Sequence, residues 1–361
     1  MSHATSHGLP SKNVGDAKVA NVANAGLPNG DDASHTAAVQ RSSDLKAVYA
    51  PIESELQSVE AILKSELQSK TPFVDELLQH SWLMGGKRIR PVFLLLSAAS
   101  CGTITPAHLQ MAAALEMVHT ATLVHDDVLD EAETRRHRAT ANSTWGTKVS
   151  VLLGDYLFTH SFHVASLSGS VEALRLLARA SNRVCEGEMR QNAWQGDFAL
   201  TEENYMQMIT EKTAELCGVG CRIGAMLSES TIEHDYELYG RNLGVAFQIV
   251  DDILDIVGHP EEVGKTLGTD LLNQKPTLPV IHCLAKCEAA DSAELRKVLV
   301  GQASTTKELL PFLVKTGSID YARTVAQQHA RAATKFAQSL DSNIYSDALT
   351  KLATFVLDRT H

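Results

Sequence analysis

Residues 111–130 read MAAALEMVHTATLVHDDVLD, a long apolar run that ends in three aspartates. Its apolar residues occupy nearly every face of a helix, which predicts a helix buried in the middle of a bundle. Residues 243–257, LGVAFQIVDDILDIV, repeat the arrangement. Because buried carboxylates are costly without a partner, the ends of these two helices are the first candidates for a functional site.

Helical spacing of apolar residues extends over most of the chain. It begins after residue 43 and continues to the C-terminus, which, with 44% hydrophobic and 5% aromatic residues, predicts an all-α protein. The first 42 residues lack this period and are rich in small and polar residues. We therefore predict a disordered N-terminal tail over residues 1–42 and one domain over residues 43–361. The predicted helices cover residues 44–69, 72–83, 91–100, 106–130, 147–167, 170–195, 202–227, 233–257, 277–290, 307–315, 319–340 and 343–359.

The charge of the chain disfavours several kinds of partner. A formal net charge of −11 opposes nonspecific binding to nucleic acid or to an anionic membrane. No apolar run reaches the roughly 18 residues of a membrane span, and the N-terminal residues do not resemble a secretory signal. The six cysteines follow no disulfide pattern. We therefore expect a cytoplasmic protein that has no integral membrane segment.

The aspartates form a repeated motif, DDVLD at residues 126–130 and DDILD at residues 251–255. On a helix the three acids of each motif lie on one side near the end, where they repel one another unless a cation binds. Carboxylate oxygens suit a hard cation, and Mg²⁺ is commonly completed by substrate phosphates. Two facing motifs could hold Mg²⁺ ions around one diphosphate. The predicted metal ligands are Asp126, Asp127, Asp130, Asp251, Asp252 and Asp255.

Basic residues near the first motif suggest a second anion site. GGKRIRP at residues 85–91 predicts a helix stop at the two glycines and a new helix with Pro91 at its first position. Its basic residues would surround a helix N-terminus, which attracts anions. Arg135 and Arg136 follow the first motif directly, and guanidinium groups suit phosphate oxygens.

With these motifs assembled, the chain resembles the trans-type isoprenyl diphosphate synthases, the head-to-tail prenyltransferases, over about residues 80–280. The segments that carry the resemblance are GGKRIRP (85–91), HTATLVHDDVLD (119–130), GDYLF (154–158), EKTAEL (211–216), FQIVDDILD (247–255) and KPTLP (275–279). The resemblance implies an antiparallel helical bundle around a central cavity, the isoprenoid synthase fold, and a homodimer. It also implies an Mg²⁺-dependent enzyme that condenses an allylic diphosphate with isopentenyl diphosphate.

The resemblance assigns roles position by position. Mg²⁺ on the allylic diphosphate would be held by the six aspartates, and the same diphosphate would be contacted by Arg135, Lys212 and Lys265. The isopentenyl diphosphate site would consist of Lys87, Arg90, His119 and Arg136. The cavity in which the allylic cation forms would be lined by Thr213 and Gln248. The resemblance supports Lys275 as a phosphate ligand less well than Lys265, because Gln274 replaces the glycine that usually precedes Lys275.

Product length depends on the helix that carries the first motif. A growing hydrocarbon tail would pass the residues four and five positions before Asp126 and then one turn further back, at Thr122, Ala121 and Val118. Short-chain members of the family carry a large residue at the first of these positions, and none stands here. We therefore predict a medium-to-long all-trans polyprenyl diphosphate as the product.

Other functions remain open at this stage. One alternative is a shorter-chain synthase that makes geranylgeranyl or farnesyl diphosphate, and another is a noncatalytic subunit of a heteromeric synthase. A terpene cyclase is also α-helical and Mg²⁺-dependent but would normally lack the basic site for a second diphosphate. The pair His125 and Asp126 could belong to a metal-dependent phosphohydrolase, but no further histidine stands beside the second motif.

Overall fold

The structure is a computed structural model that describes residues 45–83, 86–136, 138–258, 268–301 and 305–358, and it confirms the all-α prediction. The predicted N-terminal tail lies outside the described residues. The helices in chain order are α1 (Glu53–Glu66), α2 (Pro72–Leu83), α3 (Ile89–Cys101), α4 (Pro106–Leu129), α5 (Ala141–Trp145), α6 (Thr147–Ser166), α7 (Val171–Ala193), α8 (Glu202–Ile209), α9 (Glu215–Leu227), α10 (Glu233–Val257), α11 (Thr269–Leu272), α12 (Leu278–Lys286), α13 (Ala289–Val300), α14 (Thr306–Lys315), α15 (Ser318–Ser339) and α16 (Ile344–Asp358).

The two helices that carry the aspartate motifs are buried, as predicted. Every residue of α4 from Met111 to Val118 is buried, and so is most of α10 from Leu243 to Ile256. Both helices pack against α9, which itself contacts α3, α7 and the segment that joins it to α8. A helix that is apolar all round needs neighbours on every side, and the bundle supplies them.

Close approach of α9 to α10 depends on small residues. A Cβ at Gly240 would lie 2.4 Å from the carbonyl oxygen of Cys217, and one at Gly244 would lie 2.5 Å from the Cα of Ala214. Gly244 follows Gly240 along α10, but its partner Ala214 precedes Cys217 in the chain. The two segments therefore run antiparallel. This orientation brings the start of α9 next to the aspartates at the end of α10.

The segment between α8 and α9 is a π-helix, Thr210–Ala214, inside what the sequence predicts as one helix over residues 202–227. π-Helical turns insert an extra residue and occur frequently at functional sites. This segment contains Lys212 and Thr213, two of the predicted site residues. The regular helical period could not predict the inserted turn.

The structure differs from the sequence prediction at several further points. The helix predicted over residues 277–290 ends at Lys286, and an unpredicted helix, α13, follows it. Within α13 only Leu295 and Leu299 are buried, which leaves a weak apolar period. Helix α3 begins at Ile89, so Pro91 is its third residue. A short β-hairpin follows the first motif, and each of its strands, β1 (Thr134–Arg135) and β2 (Arg138–Ala139), has two residues.

Among the described helices, none is both long enough and apolar enough to cross a membrane.

Candidate active site

The first aspartate motif closes α4, and two of its acids are bound by cations from other segments. Asp127 is buried and accepts a 2.7 Å hydrogen bond from Nε of Arg135, at the start of the β-hairpin. Asp130 is the C-cap of α4, and Nζ of Lys275 lies 2.8 Å from its Oδ1. A charge-assisted bond to each carboxylate offsets part of the repulsion between them.

Asp126 is half-buried and lies among several other charged side chains. Burial raises the pKa of Asp126 to about 6, Lys212 opposes the rise, and Glu188 and Asp130 add to it. Lys212 forms an ion pair with Glu188, and Asp126 and Glu188 both help to hold the pKa of Lys212 above its usual value, against the effect of burial. Additional positive charge near Asp126 would therefore stabilise its ionised form.

Asp252 of the second motif belongs to a network of side-chain hydrogen bonds. Oδ2 of the buried Asp252 accepts from the hydroxyl of Tyr205 at 2.5 Å, and Oδ1 accepts from Nε2 of Gln248 at 2.8 Å. The hydroxyl of Thr213 donates in turn to Oε1 of Gln248 at 2.8 Å. Burial raises the pKa of Tyr205 far above its usual value, with a further contribution from Asp252, so the phenol remains a donor.

The other two acids of the second motif occupy different surroundings. Asp255 is fully buried, and its carboxylate accepts 3.0 Å hydrogen bonds from the Thr269 hydroxyl and from the backbone N–H of Asp270, at the start of α11. This contact ties α11 to the end of α10. Asp251 lies half-buried at the same end of α10.

Two adjoining cavities connect the motifs. The inner cavity, of about 150 Å³, is lined by Gln191, Trp194, Tyr205, Met208, Ile209, Lys212, Thr213, Gln248, Asp252, Asp270, Lys275, Pro276 and Thr277. The outer cavity, of about 240 Å³, is lined by Leu129, Asp130, Glu131, Gln191, Asn192, Gln195, Asn273 and Lys275. Gln191 and Lys275 line both cavities, so the two motifs, far apart in sequence, meet around these side chains.

The π-helical segment positions Lys212 between the motifs. A Cβ at Gly187 of α7 would lie 2.5 Å from the backbone nitrogen of Lys212, so α7 can approach this turn only because residue 187 is glycine. The same approach allows Glu188 to pair with the Lys212 side chain. Lys212 and Thr213 thereby both line the inner cavity.

Lys275 has a larger place in the site than the sequence suggested. The preceding Gln274 adopts a left-handed backbone with φ of +50°, a conformation that glycine adopts without strain. The backbone N–H of Lys275 donates to the carbonyl of Asp270 at 2.8 Å, which fixes the turn. The substitution of glycine by glutamine has therefore kept the turn, and the side chain of Lys275 reaches the first motif.

A basic cluster lies behind the first motif and contains three of the four residues predicted for isopentenyl diphosphate. Burial lowers the pKa of His119 well below its usual value, and Arg90 and Arg136 lower it further, so its imidazole is neutral. Nε of Arg90 is buried and has no hydrogen-bond partner among the described residues. A Cβ at Gly86 would lie 2.4 Å from the guanidinium of Arg136, so the glycine turn and this arginine are in direct contact.

The remaining basic residues of the GGKRIRP segment point in other directions. Arg88, with φ of +53°, pairs with Glu60 and with the buried Glu116, so it anchors the turn to α1 and α4. Lys87 is exposed, and its ammonium lies 5.9 Å from the ring centroid of Phe355 in α16. Lys87 and Arg136 are therefore the exposed members of the predicted set, whereas Arg90 and His119 are half-buried.

The predicted chain-length residues lie on the buried part of α4. Ala121 and Val118 belong to the main hydrophobic core, and the hydroxyl of Thr122 donates to the carbonyl of His119 at 2.8 Å. The linings of the two cavities do not include these three residues. Lys265, predicted to contact the allylic diphosphate, lies outside the described residues.

The acidic side chains of the site are its possible metal ligands. Within the described segments, no three acidic, histidine or cysteine side chains are gathered around one point as in a formed metal site. The acids instead bind internal cations and hydrogen-bond donors. Asp130 and Asp252 nevertheless offer only oxygen at cavities that Lys212 and Lys275 also line, and Asp126 interacts with Lys212 nearby. This set of oxygen donors fits a hard cation.

Sequence reasoning missed Tyr205, Glu188 and Gly187. Tyr205 stands seven residues before Lys212, two turns away on a regular helix, and this spacing could have identified it. Nothing in the sequence pairs Glu188 with Lys212, because they meet only through the packing of α7 on the π-helical segment.

Comparison with known proteins gives consistent results. A family model described as polyprenyl synthetase matches residues 71–316. An octaprenyl diphosphate synthase of Haemophilus influenzae is 38% identical over 281 residues, which cover 77% of this chain and 85% of the relative. The crystal structure of a decaprenyl diphosphate synthase from Rhodobacter capsulatus is 34% identical with a TM-score of 0.83, covering 88% of this chain and 99% of its own. A polyprenyl synthase from Caulobacter crescentus, complexed with calcium and isoprenyl diphosphate, is 32% identical with a TM-score of 0.82, covering 88% and 98%.

Proposed function

The chain belongs to the polyprenyl synthetase family, and from that premise we propose how its own side chains perform prenyl transfer. The protein is a trans-prenyltransferase that makes medium-to-long-chain polyprenyl diphosphates. The substrates are an allylic diphosphate and isopentenyl diphosphate, joined head to tail in repeated cycles. The observation that carries the assignment of the active site is the meeting of both aspartate motifs at two cavities that share Lys275 and Gln191.

The allylic diphosphate binds between the two motifs. Asp126, Asp130 and Asp252 would hold Mg²⁺ there, assisted by Asp251. Asp127 and Asp255 of the same motifs bind Arg135 and the start of α11. Bound Mg²⁺ neutralises the negative charge of a departing diphosphate, which lowers the barrier to breaking the allylic C–O bond. The calcium in the Caulobacter crescentus complex supports a divalent cation in this family.

Side chains around the inner cavity hold the leaving diphosphate and stabilise the allylic cation that its departure forms. Lys212 and Arg135 bind diphosphate oxygens, which keeps the leaving group in place. The side-chain dipoles of Thr213 and Gln248, already aligned by their mutual hydrogen bond, stabilise the allylic cation electrostatically. Trp194, Met208 and Ile209 line the same cavity and exclude water from it.

Isopentenyl diphosphate binds at the basic cluster of Arg90, His119 and Arg136, with Lys87 at its exposed edge. The buried Nε of Arg90 gains a hydrogen-bond acceptor when a diphosphate oxygen binds. Neutral His119 supplies one further N–H without adding to the repulsion among the arginines. The double bond of this substrate then attacks the allylic carbon and leaves a new tertiary cation. That cation loses a proton to the released diphosphate, which forms the new allylic double bond.

Product analysis tests the function directly. The purified chain is incubated with labelled isopentenyl diphosphate, farnesyl diphosphate and Mg²⁺, and the dephosphorylated products are separated by chromatography. We expect a ladder of all-trans products longer than geranylgeraniol. A product that ends at farnesol or geranylgeraniol would favour a shorter-chain synthase, and an inactive single chain would favour a subunit of a heteromeric enzyme.

Arg90→Gln tests the assignment of the basic cluster. We expect the KM for isopentenyl diphosphate to rise about 10- to 100-fold, because a charge-assisted contact to an anion is worth roughly 1.5–3 kcal/mol. The KM for the allylic diphosphate should change by less than about threefold. The matched control is Arg323→Gln, which removes an arginine paired with the exposed Asp320. An equal rise of both KM values for Arg90→Gln would contradict the assignment.

We also propose that the enzyme is a homodimer that works in the cytoplasm. Helix α6 exposes Val151, Leu152 and Tyr156, with 68% of Leu152 accessible, on one helix face. Exposed apolar faces of this kind commonly mark protein interfaces. All six cysteines are free, in keeping with a reducing compartment.

Leu152→Glu tests the dimer face. In sedimentation velocity we expect the wild type to be a dimer and Leu152→Glu to shift strongly toward monomer, because an unpaired buried charge would be costly. Val314→Glu replaces a similarly exposed residue, 67% accessible, in α14 and should leave the dimer intact. If Leu152→Glu sediments like the control, the interface lies elsewhere.

A further inference from the structure

We propose that Tyr205 is a positioning residue that holds the carboxylate of Asp252 in the orientation needed to bind a divalent cation. Tyr205 belongs to α8, is 1% exposed, and meets Asp252 across 47 residues of sequence. Its hydroxyl donates to Oδ2, while Gln248 donates to Oδ1. One donor therefore holds each oxygen. This inference rests on the proposed function, because it concerns a carboxylate assigned there to the metal.

Tyr205 is itself held firmly in place. Its ring belongs to a hydrophobic cluster that includes Ile249, Ile253 and Leu278, contributed by α10 and α12. A tyrosine side chain has few torsions to order, and here the packing fixes them. The hydroxyl is thus presented at a defined point of the inner cavity, which the Tyr205 side chain also lines.

The bound oxygens of Asp252 keep the capacity to ligate. An ionised carboxylate has about four acceptor positions, so a hydrogen bond to each oxygen does not in itself prevent metal binding. Hydrogen bonds from outside the coordination sphere orient metal-binding carboxylates and tune their affinity. Gln248, Tyr205 and Asp252 all line the inner cavity, so this carboxylate is held at the wall of a space that a cation could enter.

The two motifs differ in the nature of their internal partners. Asp127 and Asp130 of the first motif are bound by cations, from Arg135 and Lys275. Two of the donors to Asp252 are neutral, the amide of Gln248 and the phenol of Tyr205. A divalent cation at Asp130 competes with the ammonium of Lys275, whereas these two donors orient Asp252 without placing a positive charge on it.

Tyr205→Phe tests this role, with Tyr239→Phe as the matched control. Both tyrosines are 1% exposed, but the Tyr239 hydroxyl donates to the backbone carbonyl of Leu349 in α16 at 2.7 Å and not to an aspartate of the motifs. We expect Tyr205→Phe to raise the Mg²⁺ concentration at half-maximal activity by about 10- to 100-fold, the usual effect of losing an outer hydrogen bond to a ligand. At saturating Mg²⁺ its kcat should return to within about threefold of the wild type. The control should show neither change.

A second measurement does not depend on turnover. Calorimetric titration of Mg²⁺ into the protein with inorganic diphosphate should give a weaker affinity for Tyr205→Phe and an unchanged one for Tyr239→Phe. In the background Asp252→Asn, Tyr205→Phe should alter the Mg²⁺ requirement by less than about twofold, because the two residues act through one contact. An effect that persists in that background would reflect general damage and would overturn the inference.

The outcomes separate this inference from the proposed function. If the wild type shows no Mg²⁺ dependence, the metal assignment itself fails. If the wild type depends on Mg²⁺ but Tyr205→Phe has the same requirement as Tyr239→Phe, only the role of Tyr205 is wrong.

Discussion

Asp126→Asn is expected to lower kcat/KM by about a thousandfold, which corresponds to roughly 4 kcal/mol of transition-state stabilisation. The amide keeps the shape of the side chain but removes a charged oxygen from the proposed metal set. The melting temperature should not fall, because burial raises the pKa of Asp126 and the folded state already disfavours its charge. Steady-state kinetics and thermal unfolding of the same preparation give both quantities.

The control for this variant is Asp320→Asn. Asp320 is an exposed helical acid whose side chain is 83% accessible and pairs with Arg323 at 3.1 Å. Its replacement should leave both activity and stability within experimental scatter. If Asp126→Asn retains more than about a tenth of the wild-type turnover, Asp126 does not belong to the metal set.

Ala121→Phe is expected to shorten the products sharply while turnover persists. Ala121 is 1% exposed and lies five residues before Asp126, so an aromatic ring there would stand a little over one helical turn from the diphosphate site. A growing tail would meet the ring after one or two additions. Chromatography of dephosphorylated products measures the change in length.

Leu123→Phe provides the comparison on the same helix. Leu123 is two residues beyond Ala121, which turns its side chain about 200° around the axis. Leu123→Phe should therefore leave the product ladder unchanged. Overpacking at Ala121 is expected to cost about 1–3 kcal/mol, so thermal unfolding accompanies the assay. An unchanged ladder from a folded Ala121→Phe would show that the tail follows another route.

Much of the fold could be predicted from local patterns. The apolar period predicted the ends of α2, α4 and α10 to within one residue. Long runs with a helical apolar period favour a helix over any other secondary structure. Helix α13 was missed because only two of its residues are buried. The π-helical segment was missed because an inserted residue breaks the regular helical period, and its close contact with Gly187 of α7 joins residues far apart in the chain.

The candidate site divides in the same way. Repetition of DDxxD identified the acids and the chemistry of their ligand, since three carboxylates on one helix end require a cation. The sequence could not distinguish Asp252, which lines the inner cavity, from Asp255, which caps α11. These two acids stand three residues apart, and only the position of the neighbouring helices gives them different partners.

The sequence by itself determined that this protein is a helical bundle with two acidic helix ends and an accompanying basic cluster. These features follow from local geometry, because a helix places residues three and four apart on one side whatever surrounds it. Only the tertiary structure decided that Lys212 lies between the motifs, that Lys275 reaches Asp130, and that a buried phenol holds Asp252. Such contacts join segments far apart in the chain, and they form where packing brings side chains together, which no local period encodes.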